Sequence, residues 1–242
     1  MILMNVINTL GTSPPVVTQF VDWLNRRGIK VSKVVCIGTR DNTVKRGFNV
    51  IREALFDKFK IRDIKYIELP FSEPINEEDF YIVIEKMFEE YEGEVIINLS
   101  GGRKNIVLAA HLFAMLTGSK AYHIIYPDAK SFNIELERVR EELNKVGDNS
   151  ELYEKYKEKL EKVLFPDPKY YNVVEIPVLP FPYIFIEALK GELNNKSKSR
   201  YFYSYLKSLG YIQVSKKDDI IFTEKGEKLL EFLNRISQKL IK

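Results

Sequence analysis

Short apolar runs rich in β-branched residues alternate, over the first half of the chain, with longer stretches whose apolar positions recur every three or four residues. The runs at 2–8, 31–37, 64–69, 94–98 and 120–126 have the length and composition of buried strands. The stretches at 16–27, 43–59, 77–91 and 104–116 have the period of amphipathic helices. Strict β-α alternation predicts an α/β fold built on a doubly wound, mostly parallel sheet. In such a sheet, ligands lie outside the carboxyl ends of the strands, near the point where strand order reverses.

The pattern changes after residue 126. Residues 133–165 are charged and helical, broken at Gly147-Asp148-Asn149, and predict a helical hairpin inserted into the sheet domain, its charges on solvated faces. A hairpin returns the chain to the edge it left, so the next strand, 173–178, is expected to enter antiparallel from the ligand side and to bring Lys169 beside that edge. Pro177, Pro180 and Pro182 mark a linker and divide the chain into 1–179 and 180–242. Beyond it, helices at 183–193 and 199–209, a stop at Gly210, a strand pair at 211–215 and 220–223 and a helix at 224–240 trace a small winged helix-turn-helix domain.

With 45% hydrophobic residues in 242, the chain can bury a proper core. Cys36, the single cysteine, excludes a disulfide framework. No stretch reads as a targeting segment or a membrane span, so a cytoplasmic protein with no membrane partner is expected. The net charge of +3 hides an asymmetry: residues 190–242 carry +6 and the rest −3. That points to DNA as a partner of the tail, through Ser197, Lys198, Ser199 and Arg200 and the Lys216-Lys217 turn. The aromatic side chains of Tyr201, Phe202, Tyr203 and Tyr205 suit a dimer interface on the same helix.

Two strand-to-helix junctions carry candidate chemistry: Leu10-Gly11-Thr12-Ser13-Pro14-Pro15, and Asn98-Leu99-Ser100-Gly101-Gly102-Arg103-Lys104 followed by Asn105. Such turns turn backbone N–H groups and the positive end of a helix toward an anion, and the second adds two cations. Neither the three-glycine dinucleotide fingerprint nor the P-loop spacing is present. Each turn also reads as plain punctuation. Ser13 is equally an ordinary cap ahead of a proline. In the loop at 38–43, Arg40 and Asn42 are placed either to meet a base or ribose or simply to start a helix, and Lys169 reads equally as a surface lysine. His111 and His123 sit in apolar segments without acidic or cysteine partners at ligand spacing, so neither a metal nor another cofactor is expected.

The two turns, on this alternation and ahead of a winged-helix outline, resemble those of the CRISPR-associated Rossmann-fold (CARF) proteins, most of all the archaeal ring nucleases of the type III CRISPR response. The resemblance covers about residues 1–179. It implies a Rossmann-like sheet and a homodimer whose two sheets share one pocket for cyclic tetra-adenylate. It also implies metal-independent attack of a ribose 2′-hydroxyl, leaving a linear product with a 2′,3′-cyclic phosphate and ending the signal. Carried over by motif position, Ser13, Lys104 and Lys169 are the catalytic candidates. Gly11, Thr12, Ser100, Gly101, Gly102, Arg103 and Asn105 are the ligand contacts, joined by Arg40 and Asn42. A different class of function, a cyclic-oligoadenylate-responsive regulator that binds DNA through its winged helix, uses the same pocket as a sensor.

Overall fold

A computed structural model describes residues 3–177, 207, 210–214 and 220–240. The chain divides into two compact units, Met1–Ala114 with Gly118–Val178, and Met115–Thr117 with Leu179–Lys242.

The first unit is a six-stranded sheet in the order β3-β2-β1-β4-β5-β6. It comprises β1 (Leu3–Thr9), β2 (Lys30–Gly38), β3 (Asp63–Glu68), β4 (Val95–Asn98), β5 (Lys120–Ile125) and β6 (Asn172–Ile176). The first five run parallel, and β6 pairs antiparallel with β5, Asn172 facing Ile125, as the sequence predicts. From β1 the chain winds outward to β2 and β3, then restarts at β4 on the other side of β1. The order reverses between β1 and β4, whose carboxyl ends carry the two glycine turns. The run at 64–69 was expected to be buried, yet β3 is half exposed because only β2 pairs with it.

Helix α1 (Pro15–Arg26) is buried over nine of its twelve residues, and its polar face, with Thr18, Gln19 and Asp22, is buried along with its apolar one. One side rests on the sheet, where Phe20 and Trp23 pack against Tyr122. The other side meets the insertion. Thr18 Oγ1 donates to the Leu164 carbonyl at 2.5 Å and Gln19 Nε2 to that of Val163 at 3.2 Å. These are open carbonyls at the end of an insertion helix, so two buried polar side chains are satisfied by the acceptors a helix leaves unpaired. Helices α2 (Asn42–Phe59), α3 (Glu77–Glu89) and α4 (Lys104–Thr117) make the other crossovers. A reciprocal box opens α3: Asn76 Oδ1 accepts from Asp79 N at 2.9 Å, and Asp79 Oδ2 from Ile75 N at 2.9 Å.

The insertion departs from the expected hairpin. It has three helices, α5 (Ala129–Arg138), α6 (Arg140–Asp148) and α7 (Tyr153–Leu164). Leu136, Val139, Leu143 and Val146, spaced three or four apart, join Leu160 and Val163 and the α2 residues Val50 and Ala54 in an apolar cluster of their own. The charges do line the outside, but a real core lies beneath them. Gly147 seats α6 on α2: a Cβ there would stand 2.5 Å from Arg46 Cβ and 2.7 Å from its Cα. Asn49 Nδ2 donates to the Gly147 carbonyl at 2.7 Å, and Arg46 pairs with Asp148 at 2.6 Å.

In the second unit, β7 (Ile212–Val214) and β8 (Ile220–Phe222) form an antiparallel pair, followed by α8 (Glu224–Leu240). Thr223 starts that helix, its Oγ1 accepting from Gly226 N at 3.1 Å. The helices expected at 183–193 and 199–209, Lys207 apart, and the basic turn at 216–219 lie outside the described residues. No helix among the described residues is long and apolar enough to cross a membrane.

The contact of α6 with α2 leaves no room for a side chain. Gly147→Ala should therefore cost about 1–3 kcal/mol through overpacking, read as a lower denaturant midpoint with an unchanged slope.

Candidate functional site

The two glycine turns are a single piece of structure. A Cβ on Gly11 would lie 2.7 Å from Gly102 N and 3.1 Å from its Cα, and one on Gly101 would lie 2.5 Å from the Thr9 carbonyl oxygen. Backbone lies against backbone here, so only glycine fits on either side. Gly102 also has φ +86°, in the left-handed region.

Beneath the contact lies a buried amide network. Asn8 is the penultimate residue of β1 and Asn98 the last of β4, and both are fully buried. Asn98 Nδ2 donates to Asn8 Oδ1 at 2.9 Å and to the Val16 carbonyl at 3.0 Å, while Asn8 Nδ2 donates to the Val35 carbonyl at 3.1 Å. Asn98 Oδ1 accepts from the amide of Ser100 at 3.1 Å and from its hydroxyl at 2.5 Å. Ser100 Oγ in turn accepts from Ile124 N at 2.8 Å. Ser100, expected as a ligand contact, gives its amide and its hydroxyl proton to the turn and helps to hold it. His123 Nδ1 reaches the Leu99 carbonyl at 3.2 Å and His111 Nε2 that of Pro177 at 3.2 Å, so each of these nitrogens carries the proton. Among the described residues no group of three or more His, Cys, Asp or Glu is placed to hold a metal.

What the turns offer an anion is unequal. At α4 the first intrahelical bond is Val107 N to the Arg103 carbonyl at 3.1 Å, and no side chain caps the helix. The amides of Lys104, Asn105 and Ile106 are the open donors of a fourteen-residue helix, flanked by the exposed side chains of Arg103 and Lys104. At α1 the sequence expectation needs correcting. Pro14 and Pro15 have no N–H, and Val16 and Val17 bond back to the Ser13 and Pro14 carbonyls, so this helix presents no comparable amides. Nor does the Ser13 side chain cap it: the capping position is Pro14 and no side chain bonds there. The half-buried Ser13 hydroxyl, next to exposed Thr12, is left free by the turn.

The remaining candidates are less close. Asn105 spends its Nδ2 on the Pro74 carbonyl at 2.8 Å, tying down the loop before α3. Arg40, exposed beyond β2, pairs with Glu68 at 3.4 Å, and Lys45 reaches the same carboxylate at 2.5 Å. Asp41 Oδ1 caps α2 by accepting from Thr43 N at 2.7 Å, which leaves the exposed Asn42 as the first helical residue. Lys169 is not brought to the turns by any described contact. Phe165 sits under Lys58, 3.9 Å from ammonium to ring, Lys58 pairs with Asp22, and Leu164, Val163 and Tyr171 bond to Thr18 and Gln19, so the chain on either side of Lys169 runs along α1. The ammonium lies 3.4 Å from Asp167 and over the Tyr170 ring at 5.0 Å. The Asp167 hydrogen bond and charge raise the Lys169 pKa, and the Lys169 amide, then its side chain, lower that of Asp167. The Asp167 pairing favours the charged form of Lys169.

Sequence reasoning missed Arg140 of α6, whose Nη1 donates to the Thr12 carbonyl at 2.8 Å. Its signal was hidden in a charged stretch read as solvated. The structural weight of Asn8 and Asn98 was legible as two amides ending apolar strands.

A family model described as CRISPR-associated protein NE0113 matches residues 13–211, most of the chain. The chain belongs to this CRISPR-associated family. A member of the curated proteins, the CRISPR system ring nuclease SSO2081 of Saccharolobus solfataricus, is 26% identical over 162 residues, covering 64% of this chain and 90% of that one. Among solved structures, Enterococcus italicus Csm6 bound to cyclic hexa-2′-fluoro-hexa-dAMP superposes with a TM-score of 0.49 at 11% identity over 98% of this chain. Can2 from Sulfobacillus thermosulfidooxidans in complex with cyclic tetra-adenylate gives 0.36 at 9% over 96%. The NE0113-family chain spans only 55% and 65% of those two chains.

The buried amide network should govern the joined turns. Asn98→Ala, which strands several of its partners, is expected to cost about 3 kcal/mol. Asn98→Asp should cost at least as much, since it sets an oxygen against Asn8 Oδ1 and the Val16 carbonyl. Chemical denaturation of both variants checks this.

Proposed function

We propose that the chain binds cyclic tetra-adenylate at the joined turns and opens it without a metal ion, acting as a ring nuclease of CRISPR signalling. The observation that carries this reading is the meeting of two glycine turns at the reversal point of the sheet, with the α4 amides, Arg103 and Lys104 on one side and the free Ser13 hydroxyl on the other. Membership of a CRISPR-associated family and the likeness to a protein named as a ring nuclease support it.

The chemistry asks for little beyond positioning and charge. A ribose 2′-oxygen forms a bond to the adjacent phosphorus, the bond from phosphorus to the next 5′-oxygen breaks, and the 2′-hydroxyl proton ends on that leaving oxygen. The products are a 2′,3′-cyclic phosphate and a 5′-hydroxyl. The α4 amides and the Lys104 and Arg103 cations counter the charge that grows on the non-bridging oxygens. Ser13 Oγ orients the attacking hydroxyl or the phosphate. Lys169, paired with Asp167, adds positive charge only.

A homodimer fits the same helix. Lys104, Leu108 and Leu112 recur at i, i+4 and i+8 on one face of α4, and Leu108 and Leu112 are 58% and 39% exposed. Pairing two such faces about a two-fold axis buries the leucines and sets two Lys104 cations over one ring.

The test is incubation with cyclic tetra-adenylate in excess EDTA, followed by chromatography and mass. Full activity is expected, with Ser13→Ala and Lys104→Ala each lowering turnover by about 10²-fold and Lys169→Ala by less than about threefold, its ammonium being exposed and already paired. Leu108→Glu should give a monomer in sedimentation and lose activity. An intact ring bound tightly by the wild type would replace this reading with that of a ligand sensor.

A further inference from the structure

Resting on the reading of the joined turns as an anion site, we infer that Arg140 is a positioning residue through which the helical insertion aims the Thr12–Ser13 peptide at the bound phosphate. The guanidinium is held in a fork. Nη2 lies 2.7 Å and Nε 3.2 Å from Glu137 Oε1, which leaves Nη1 to donate to the Thr12 carbonyl at 2.8 Å. The side chain is only 23% exposed. Its helix is itself fixed, through the close seat of Gly147 on Arg46 and the Asn49 and Asp148 contacts.

The consequence follows from peptide geometry. The unit is trans and planar, so its carbonyl and the following N–H point in opposite directions. With the Thr12 oxygen directed at Arg140, the Ser13 N–H is directed away from the insertion, and Ser13 has no bonding partner for that amide among the described residues. A cation on the carbonyl also polarises the peptide and strengthens the N–H as a donor. Arg140 thereby supplies from outside what the two prolines deny α1, one aimed amide at its start. It also fixes the direction in which Ser13 leaves the backbone. Lysine lacks the fork and can reach the carbonyl with one donor only.

Two measurements test this. In steady-state cleavage of cyclic tetra-adenylate, Arg140→Ala should lower kcat by at least about tenfold while KM changes less than about threefold, since misplacing a reacting group costs rate more than binding. Arg140→Lys should recover part of the loss. Equal loss in both variants accompanied by a fall in Tm, or no loss in either, overturns the inference. Independently of activity, the Ser13 amide resonance should shift on titration with inorganic phosphate in the wild type and not in Arg140→Ala. A wild type that leaves the ring intact yet shows this Arg140-dependent shift would defeat the nuclease reading and uphold the inference. A Ser13 amide that responds equally in both proteins would defeat the inference alone.

Discussion

The site depends on a contact that excludes side chains. Gly11 and Gly101-Gly102 bring the chain leaving β1 against the chain leaving β4, and a methyl group on Gly11 or Gly101 would fall within 2.7 Å of backbone. Because the two strands are neighbours at which the winding order reverses, the contact closes the crevice where a parallel sheet places its ligands. Asn98 holds both sides at once, bonding to Ser100 in its own turn, to the Val16 carbonyl in α1 and to Asn8 on β1. A polar group with no access to water has been given every partner it can use, and the turns gain their rigidity from it.

What the crevice presents is fixed charge rather than titratable chemistry. The donors are peptide amides, arginine and lysine, and each of the two histidines gives one ring N–H to a backbone carbonyl. The asymmetry between the turns comes from covalent structure: two prolines strip α1 of early amides, while α4 keeps its own and adds two cations. Such a kit suits a ligand whose phosphates need neutralising and whose own hydroxyl supplies the nucleophile. The insertion adds a support from above the sheet, since Arg140 reaches the first turn from a helix packed on α2.

Much of this was legible in the chain. The five parallel strands, their crossovers and the antiparallel entry of β6 follow from run length and alternation, and the two turns stand out because glycine and proline interrupt apolar runs. The lack of amides at α1 is written in Pro14-Pro15, neither of which has an N–H to offer. Other features are tertiary and leave no local mark. The insertion's apolar positions are sparse among charges and become a core only against Val50 and Ala54 of α2. The place of Lys169 depends on how residues 165–171 cross α1, which no periodicity reports. The further partners of Asn105 and Ser100, the Pro74 carbonyl and the amide of Ile124, come from segments distant in sequence and leave no mark beside them.

The most direct measurement is a crystal structure of the Ser13→Ala variant with intact cyclic tetra-adenylate. The account predicts phosphate oxygens within hydrogen-bond reach of the amides of residues 104–106 and of the Lys104 ammonium, with the ring lying over the contact between Gly11 and Gly102. A ring seated away from that contact, or held without the α4 amides, would contradict it.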